Sequence, residues 1–285
     1  MNIELKNVDY IYNEGVANEV YALKDININI GNHEIIGLIG TTGSGKSTLV
    51  QLLNGLLIPS HGDVIIDGSN SKDKEKRRDM RFKVGLVFQY PEHQLFEESI
   101  EKDIAFGPKN MGFDEDDIDR RVRASMAKVG LDYETYKDVS PFEISGGQQR
   151  RVAVAGIISM NPKVLVLDEL TAGLDPAGRE EIFAEIIDIY NNDPELTIVL
   201  VSHSMEDVAE YVDRVIVLNK GELYSDASTY DTFTKVDLEK IGLDIPQIAK
   251  FMRAYKNTGA DIRDDIYTVE AAIEELSKHL GVNHE

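Results

Sequence analysis

Apolar residues along this chain recur with two periods, one of about two and one of about three to four, and the order of the two predicts the fold. Strand-like runs come first: Ile3 to Leu5, Ala22 to Ile30 in an alternating pattern, and Glu34 to Ile39. The third runs straight into a glycine-rich loop, after which Ser47 to Leu57 reads as a helix, and Val64 to Ile66 and Val84 to Phe88 resume the strands. From about Glu97 to Tyr136 the period is helical, with Asp114 to Asp117 opening one helix where negative charge favours the positive end of the dipole. A helix follows Ser145, then the strand Val164 to Leu167, a helix from about Gly178 to Tyr190, the strand Thr197 to Val201, another helix, and the strand Val215 to Leu218. This alternation predicts an α/β core around a mostly parallel sheet. Its central strands are apolar without alternation, as a sheet covered on both faces requires. The stretch of about 97–160 breaks the alternation and is expected to form a helical subdomain.

Beyond the main body, 1–236, the character changes. In 237–285, Ile245, Ile248, Ala249, Met252 and Tyr255 share one helical face, and Ile266, Val269, Ile273, Leu276 and Leu280 share another. Two amphipathic helices are expected there, packed either onto the chain's own core or against another subunit.

Composition narrows the function. The chain has 285 residues, 42% of them hydrophobic and 28% charged, as in a globular protein with a real core. Its opening alternates polar and apolar residues and does not resemble a secretory signal. No apolar run approaches the roughly 20 residues needed to span a bilayer, so a membrane role would have to come through a partner. With no cysteine, disulfides, thiolate metal sites and thiol redox chemistry are excluded, which fits a cytoplasmic setting. Lys+Arg 30 against Asp+Glu 51 gives a net charge of -21, a field that argues against a nucleic-acid partner. The one basic run, Lys72 to Arg78, reads as a solvated loop between strands.

The candidate chemistry begins with Gly40-Thr41-Thr42-Gly43-Ser44-Gly45-Lys46-Ser47-Thr48, which fits G-x-x-x-x-G-K-[ST] between an apolar strand and a helix, the context that motif needs. Its glycines let backbone N–H groups curl around phosphate oxygens, and the helix N-terminus adds its positive end. Lys46 would neutralise β- and γ-phosphate charge, and the Ser47 hydroxyl would hold Mg²⁺. A second element, Lys163-Val-Leu-Val-Leu-Asp168-Glu169, is a buried strand ending in two acids. Asp168 is placed to hold Mg²⁺, while Glu169, one residue on, can polarise an attacking water as general base.

The motif Ile144-Ser145-Gly146-Gly147-Gln148, followed by Gln149-Arg150-Arg151-Val152, resembles the signature of ABC ATPases. Physically it is another helix N-terminus with paired glycines, a second phosphate cradle. The resemblance covers about residues 3–225 and implies an α/β P-loop NTPase of the ABC ATPase type: a mostly parallel central sheet, an antiparallel N-terminal β subdomain, a helical signature subdomain and a C-terminal helical extension. It also implies that the signature of one subunit closes over ATP held by another. Gln89 then matches the Q-loop glutamine that contacts Mg²⁺ and the attacking water, Ala172-Gly-Leu-Asp175 a D-loop crossing the dimer interface, and His203 the switch histidine. Tyr12 falls where an aromatic stacks on adenine, with Tyr10 as competitor. Two departures stand out: Leu170 where the family commonly has Pro, and Ile144 for the usual Leu. Both spare the reacting groups.

The stretches Val87 to Phe96 and Glu98 to Asn110 are similar to the ATPases of energy-coupling factor transporters, prokaryotic importers of vitamins and transition metals. Arg150 to Gly156 and Thr171 to Pro176 look more like the second of that family's two ATPases. The resemblance implies a heterodimer with a second ABC ATPase at the cytoplasmic face of the membrane, a transmembrane coupling protein, and a small substrate-binding membrane subunit. Pro91, His93, Leu95 and Phe96 would anchor coupling helices in a groove after Gln89, unless Leu95 and Phe96 are simply buried. The extension 237–285 would hold the two ATPases together. The main alternative is the ATPase of a conventional ABC importer; a P-loop kinase or GTPase would need neither the signature nor His203.

Overall fold

The computed structural model of the chain describes residues 1–281; residues 282–285, the end of the expected extension, lie outside the described residues. In chain order the elements are β1 (Ile3–Tyr12), β2 (Val20–Ile30), β3 (Ile35–Gly40), α1 (Lys46–Leu53), β4 (His61–Ile66), β5 (Ser69–Asn70), α2 (Arg77–Lys83) and β6 (Val84–Val87). Then come α3 (Ile100–Met111), α4 (Glu115–Lys128), α5 (Tyr133–Tyr136), α6 (Gly146–Ile158), β7 (Val164–Asp168), α7 (Pro176–Asn191), β8 (Thr197–Val201) and α8 (Met205–Tyr211). The chain continues through β9 (Arg214–Asn219), β10 (Glu222–Ser228) and α9 (Thr229–Lys235) to α10 (Gln247–Lys256) and α11 (Val269–Leu280).

Two sheets result. One is antiparallel, in the order β2-β1-β4-β5; the other runs β10-β9-β3-β8-β7-β6 and is parallel from β9 to β6, with β10 added antiparallel at its edge. The central sheet separates two apolar layers, which explains why its strands lack alternation. Ile36, Leu38, Val166, Val199 and Val201 face the antiparallel sheet and α1, while Ile35, Ile39, Leu165, Leu167, Ile198 and Leu200 face the helices. The in-register pairs Leu38–Val201, Asp168–Val201 and Val87–Leu167 bring the C-terminal ends of β3, β8, β7 and β6 to one edge, the usual ligand-binding rim of such sheets.

Local differences from the sequence reading have local causes. Helix α1 stops at Leu53, short of Leu57, because Asn54 caps it and Gly55 adopts a φ of +72°. The basic run expected as a loop enters α2 at Arg77, since Met80 inserts into the core beneath it. In the extension, Ile245 and Ile266 precede their helices. Leu243, Ile245 and Ala249 join the large helical-side core, and Met252, Ile262, Ile266 and Ala272 form a small core of their own. On α11, however, Val269, Ile273 and Leu280 are 54%, 49% and 64% exposed, so much of that expected apolar face is left open by the described residues.

Candidate functional site

The loop between β3 and α1 has the shape its glycines dictate. A Cβ on Gly40 would lie 2.4 Å from Ser44 Oγ and 2.5 Å from the Leu218 carbonyl oxygen. One on Gly45, whose φ is +104°, would lie 2.5 Å from the Ala22 carbonyl oxygen. Neither position has room for a side chain. Lys46 is buried, and its Nζ donates to the Gly40 carbonyl at 2.6 Å and the Thr41 carbonyl at 3.2 Å. Burial pushes its pKa down, against the upward pull of Glu169 and Asp168.

Thr42 to Thr48, with Tyr12, Glu169 and His203, line a cleft of about 380 Å³ at the sheet rim, within the size range of small-ligand sites. The two tyrosines divide: Tyr10 packs on the core of the antiparallel sheet, whereas Tyr12 reaches the cleft, its hydroxyl 3.2 Å from Thr48 Oγ1. Their rings meet edge to face at 4.8 Å.

Asp168 ends β7, and Glu169 follows in the left-handed region with a φ of +52°, its amide donating to the Val201 carbonyl at 3.0 Å. That turn swings the Glu169 side chain out of the strand direction. Gln89 Nε2 donates to Glu169 Oε2 at 2.7 Å, and His203 Nε2 lies 2.7 Å from Oε1. A carboxylate is thus held between an amide and an imidazole at the mouth of the phosphate loop. Burial and the Glu169 charge push the pKa of Asp168 up, with Lys46 and His203 opposing. Ser47, Asp168 and Gln89 offer a hydroxyl, a carboxylate and an amide. Among the described residues no three His, Cys, Asp or Glu converge on one point. A divalent cation here would therefore lean on phosphate oxygens, as Mg²⁺ commonly does.

The second cradle is built differently. Ser145 caps α6: its Oγ accepts from the Gln148 amide at 3.3 Å, and Gln148 Oε1 accepts from the Ser145 amide at 3.0 Å. Gly146 and Gly147 have no neighbouring atom within 4 Å of a Cβ, so this helix end is open. Asp175 spends its carboxylate capping α7, accepting from the Gly178 amide at 2.7 Å. Neither Ser145 to Gln148 nor Asp175 is among the described residues lining the phosphate-loop cleft.

A separate apolar groove of about 250 Å³ lies beyond Gln89, lined by Phe82, Leu95, Phe96, Phe106 and Met160 among others. Pro91 and Leu95, expected as anchors, are buried; Phe96 projects at 57% exposed, edge-on to Phe106 at 4.9 Å, and His93 stacks on Tyr90 at 5.8 Å. Asp103 shapes this wall by accepting from the Phe96 and Glu97 amides, both at 2.9 Å. The sequence reading passed over Arg179 and Asp207, which form an ion pair at 2.5 Å, with Asp207 buried, between α7 and the helix after His203. The local sequence gave no sign of the pair.

The sequence matches the ABC transporter family model over residues 23–172. A Clostridium perfringens protein named energy-coupling factor transporter ATP-binding protein EcfA2 is 55% identical, with 100% of each chain covered. The solved structure of cbiO1 from Clostridium perfringens, described as part of the ABC transporter complex cbiONQ, superposes with a TM-score of 0.74 at 36% identity, covering 88% of this chain and 98% of that one. A dimeric post-hydrolysis state of the ATP-binding cassette MJ0796, bound to ADP and Pi, gives a TM-score of 0.69 at 29% identity over 80% of this chain and 98% of the other.

Proposed function

The chain belongs to the ABC transporter family and is an ATP-hydrolysing transport ATPase, and from that premise we propose that it serves an energy-coupling factor transporter importing a vitamin or a transition metal. The observation that carries this reading is likeness over the whole length, C-terminal extension included, to a protein of that name.

In the proposed cycle, residues Gly40 to Thr48 wrap the phosphates of ATP, and Tyr12 stacks on the adenine. Lys46 exchanges its two loop carbonyls for phosphate oxygens. Ser47, Asp168 and Gln89 would hold Mg²⁺, which supplies charge neutralisation on the phosphates. Glu169 takes the proton of a water attacking the γ-phosphorus; the bond to the bridging oxygen breaks, and ADP and phosphate leave. His203 and Gln89, both already on the Glu169 carboxylate, keep it aimed. The open end of α6, from Ser145 to Gln148, closes over ATP held by a second ABC ATPase, with Asp175 near the seam. Residues 1–236 thus act as the ATPase domain, with the helical subdomain at about 97–160, and 237–285 as its contact with the second ATPase, fitting the exposed Val269, Ile273 and Leu280. The groove beside Phe96 receives a transmembrane coupling protein, which also carries a small substrate-binding subunit. No described helix is long and apolar enough to cross a membrane, so this chain would sit peripherally, on the cytoplasmic face where ATP is.

Mass spectrometry of what co-purifies with the tagged chain from detergent-solubilised membranes tests the assignment. A related ATPase, one coupling protein and small membrane subunits are expected. Recovery of two conventional permease subunits instead would move it to another class of importer.

A further inference from the structure

Arg150 lies five positions beyond Ser145 on α6 and is 4% exposed, at a point where three functional segments meet. Its Nη1 donates to the Leu170 carbonyl at 2.7 Å and the Ala172 carbonyl at 3.2 Å. Its Nε and Nη2 reach the two carboxylate oxygens of Glu92 at 3.3 Å and 3.2 Å. Leu170 and Ala172 belong to the turn that follows Glu169, and the Ala172 amide closes that turn on the Glu169 carbonyl at 3.0 Å. Glu92 belongs to the short 3₁₀ turn Pro91–Gln94, which connects Gln89 to the groove wall at Leu95 and Phe96.

The chemistry suits a guanidinium and little else. Arg offers five donors in a rigid fork that meets a carboxylate with two of them while others serve carbonyls; a Lys ammonium cannot span both partners. Glu92 is itself largely buried. Burial raises its pKa, but the hydrogen bond and charge of Arg150 outweigh that and leave it below the usual glutamate value. The ion pair therefore stays intact at neutral pH. A buried charge of this kind costs desolvation, and the same packing could be had from an apolar residue. What the pair adds is a fixed spacing between the groove-side turn and the turn beyond Glu169. It also answers the Leu170 departure: where a Pro would stiffen the turn covalently, the Leu170 carbonyl is held by Arg150, and its side chain is buried in the core.

We propose that Arg150 is a positioning residue for hydrolysis, tying the Pro91–Gln94 turn to the Leu170–Ala172 turn so that a partner seated in the groove acts on the aim of Glu169. Because Arg150 rides on the signature helix, the same guanidinium sets the half-site that this chain lends to its partner. The positioning half of the proposal stands on the contacts alone. The transmission half rests on the groove being the docking site.

The test uses the purified ATPase pair and, separately, the whole transporter in proteoliposomes. Arg150→Lys should lower kcat about 10- to 100-fold, the scale of a misplaced catalytic group, while KM for ATP moves by less than about threefold and the unfolding midpoint by only a few degrees. Glu92→Gln should lower kcat less, yet reduce substrate transported per ATP about tenfold, within the range of ordinary coupling energies. Arg151→Lys, on the partly buried neighbour paired with Glu181 and Glu185, should match the wild type. An unchanged kcat in Arg150→Lys overturns the positioning role. Transport and hydrolysis falling in the same proportion in Glu92→Gln overturns the link to the groove. If Arg150→Lys is recovered poorly folded, Glu92→Gln carries the positioning test, because it loosens the Pro91–Gln94 turn from Arg150 without removing the carbonyl contacts, and an unchanged kcat there overturns the tie. A groove variant, Phe96→Ser, separates the two readings: normal assembly and transport in Phe96→Ser refutes docking at the groove without touching the kcat result for Arg150→Lys.

Discussion

Both glycine-rich helix N-termini of this molecule are proposed to cradle a phosphate, yet they are built on opposite terms. At the start of α1 the glycines are enforced from within: a Cβ at Gly40 or Gly45 would strike the chain's own backbone, and Lys46 fills the loop from inside. At the start of α6 the glycines face nothing, and the helix end is secured by a capping box instead. One cradle is completed by its own fold. The other is stable as it stands and, in the proposed cycle, is completed only by a second ATPase. Glycine at α1 is thus required by the fold itself, and glycine at α6 is not, although the two read alike in the sequence.

Four experiments break or sharpen that contrast, in falling order of effect. Glu169→Gln keeps the hydrogen bond from Gln89 but removes the base, so phosphate release should fall at least about 100-fold, the lower end for a positioned general base. ATP binding should persist and the closed dimer accumulate on a sizing column; hydrolysis at the wild-type rate would remove Glu169 from its role. Gly40→Ala should injure the enforced cradle, lowering the unfolding midpoint by several degrees and ATP affinity by more than about tenfold, because overpacking typically costs about 1–3 kcal/mol. Gly147→Ala should do neither: the isolated chain should bind ATP as before and be slightly more stable, Ala being about 1 kcal/mol better in a helix. Its hydrolysis in the dimer should nevertheless fall. A drop in monomer ATP affinity for Gly147→Ala would erase the contrast between the cradles.

The smallest effect is a pH dependence confined to the first cradle. Burial depresses the pKa of Lys46 in the free protein, whereas bound phosphates would stabilise its charged form. The free protein then loses its proton at a lower pH than the complex does. ATP affinity should therefore begin to fall as pH rises through the depressed value, below the ordinary lysine range near 10.4, with proton uptake on binding in that window. Calorimetry in two buffers of different ionisation enthalpy would detect it. For folding the sign is the reverse: a depressed lysine penalises the folded state at neutral pH, and the penalty fades as pH climbs through the folded value towards the unfolded one.

The sequence revealed the parts whose physics is local. Glycines before a lysine at a helix start, acids at the end of an apolar strand, and a serine capping a glycine pair are all short-range arrangements. The order of strands and helices gave the α/β core for the same reason. The remainder depends on distant partners. Nothing near Glu92 announces an arginine 58 positions later, and nothing near Arg179 announces Asp207. Periodicity named the apolar face of α11 but could not say that Val269, Ile273 and Leu280 stay uncovered, since a helical stripe looks the same whether its cover is intramolecular or not. The extra helix at Arg77 was missed because its charges outnumber the single buried Met80. Tyr10 and Tyr12 were inseparable in the sequence, since both lie on one strand two positions apart and only packing shows Tyr10 against the core and Tyr12 in the cleft.

The left-handed backbone at Glu169 constrains what this position can become over evolutionary time. Valine, isoleucine or threonine there would carry a backbone strain that asparagine, aspartate and glycine largely escape. A descendant subunit that gave up hydrolysis while keeping its fold and its partners would therefore be channelled into a few residues. Inactive cassettes on this architecture should be recognisable by Asn, Asp or Gly at this one site, a marker set by a dihedral angle rather than by the chemistry that was lost.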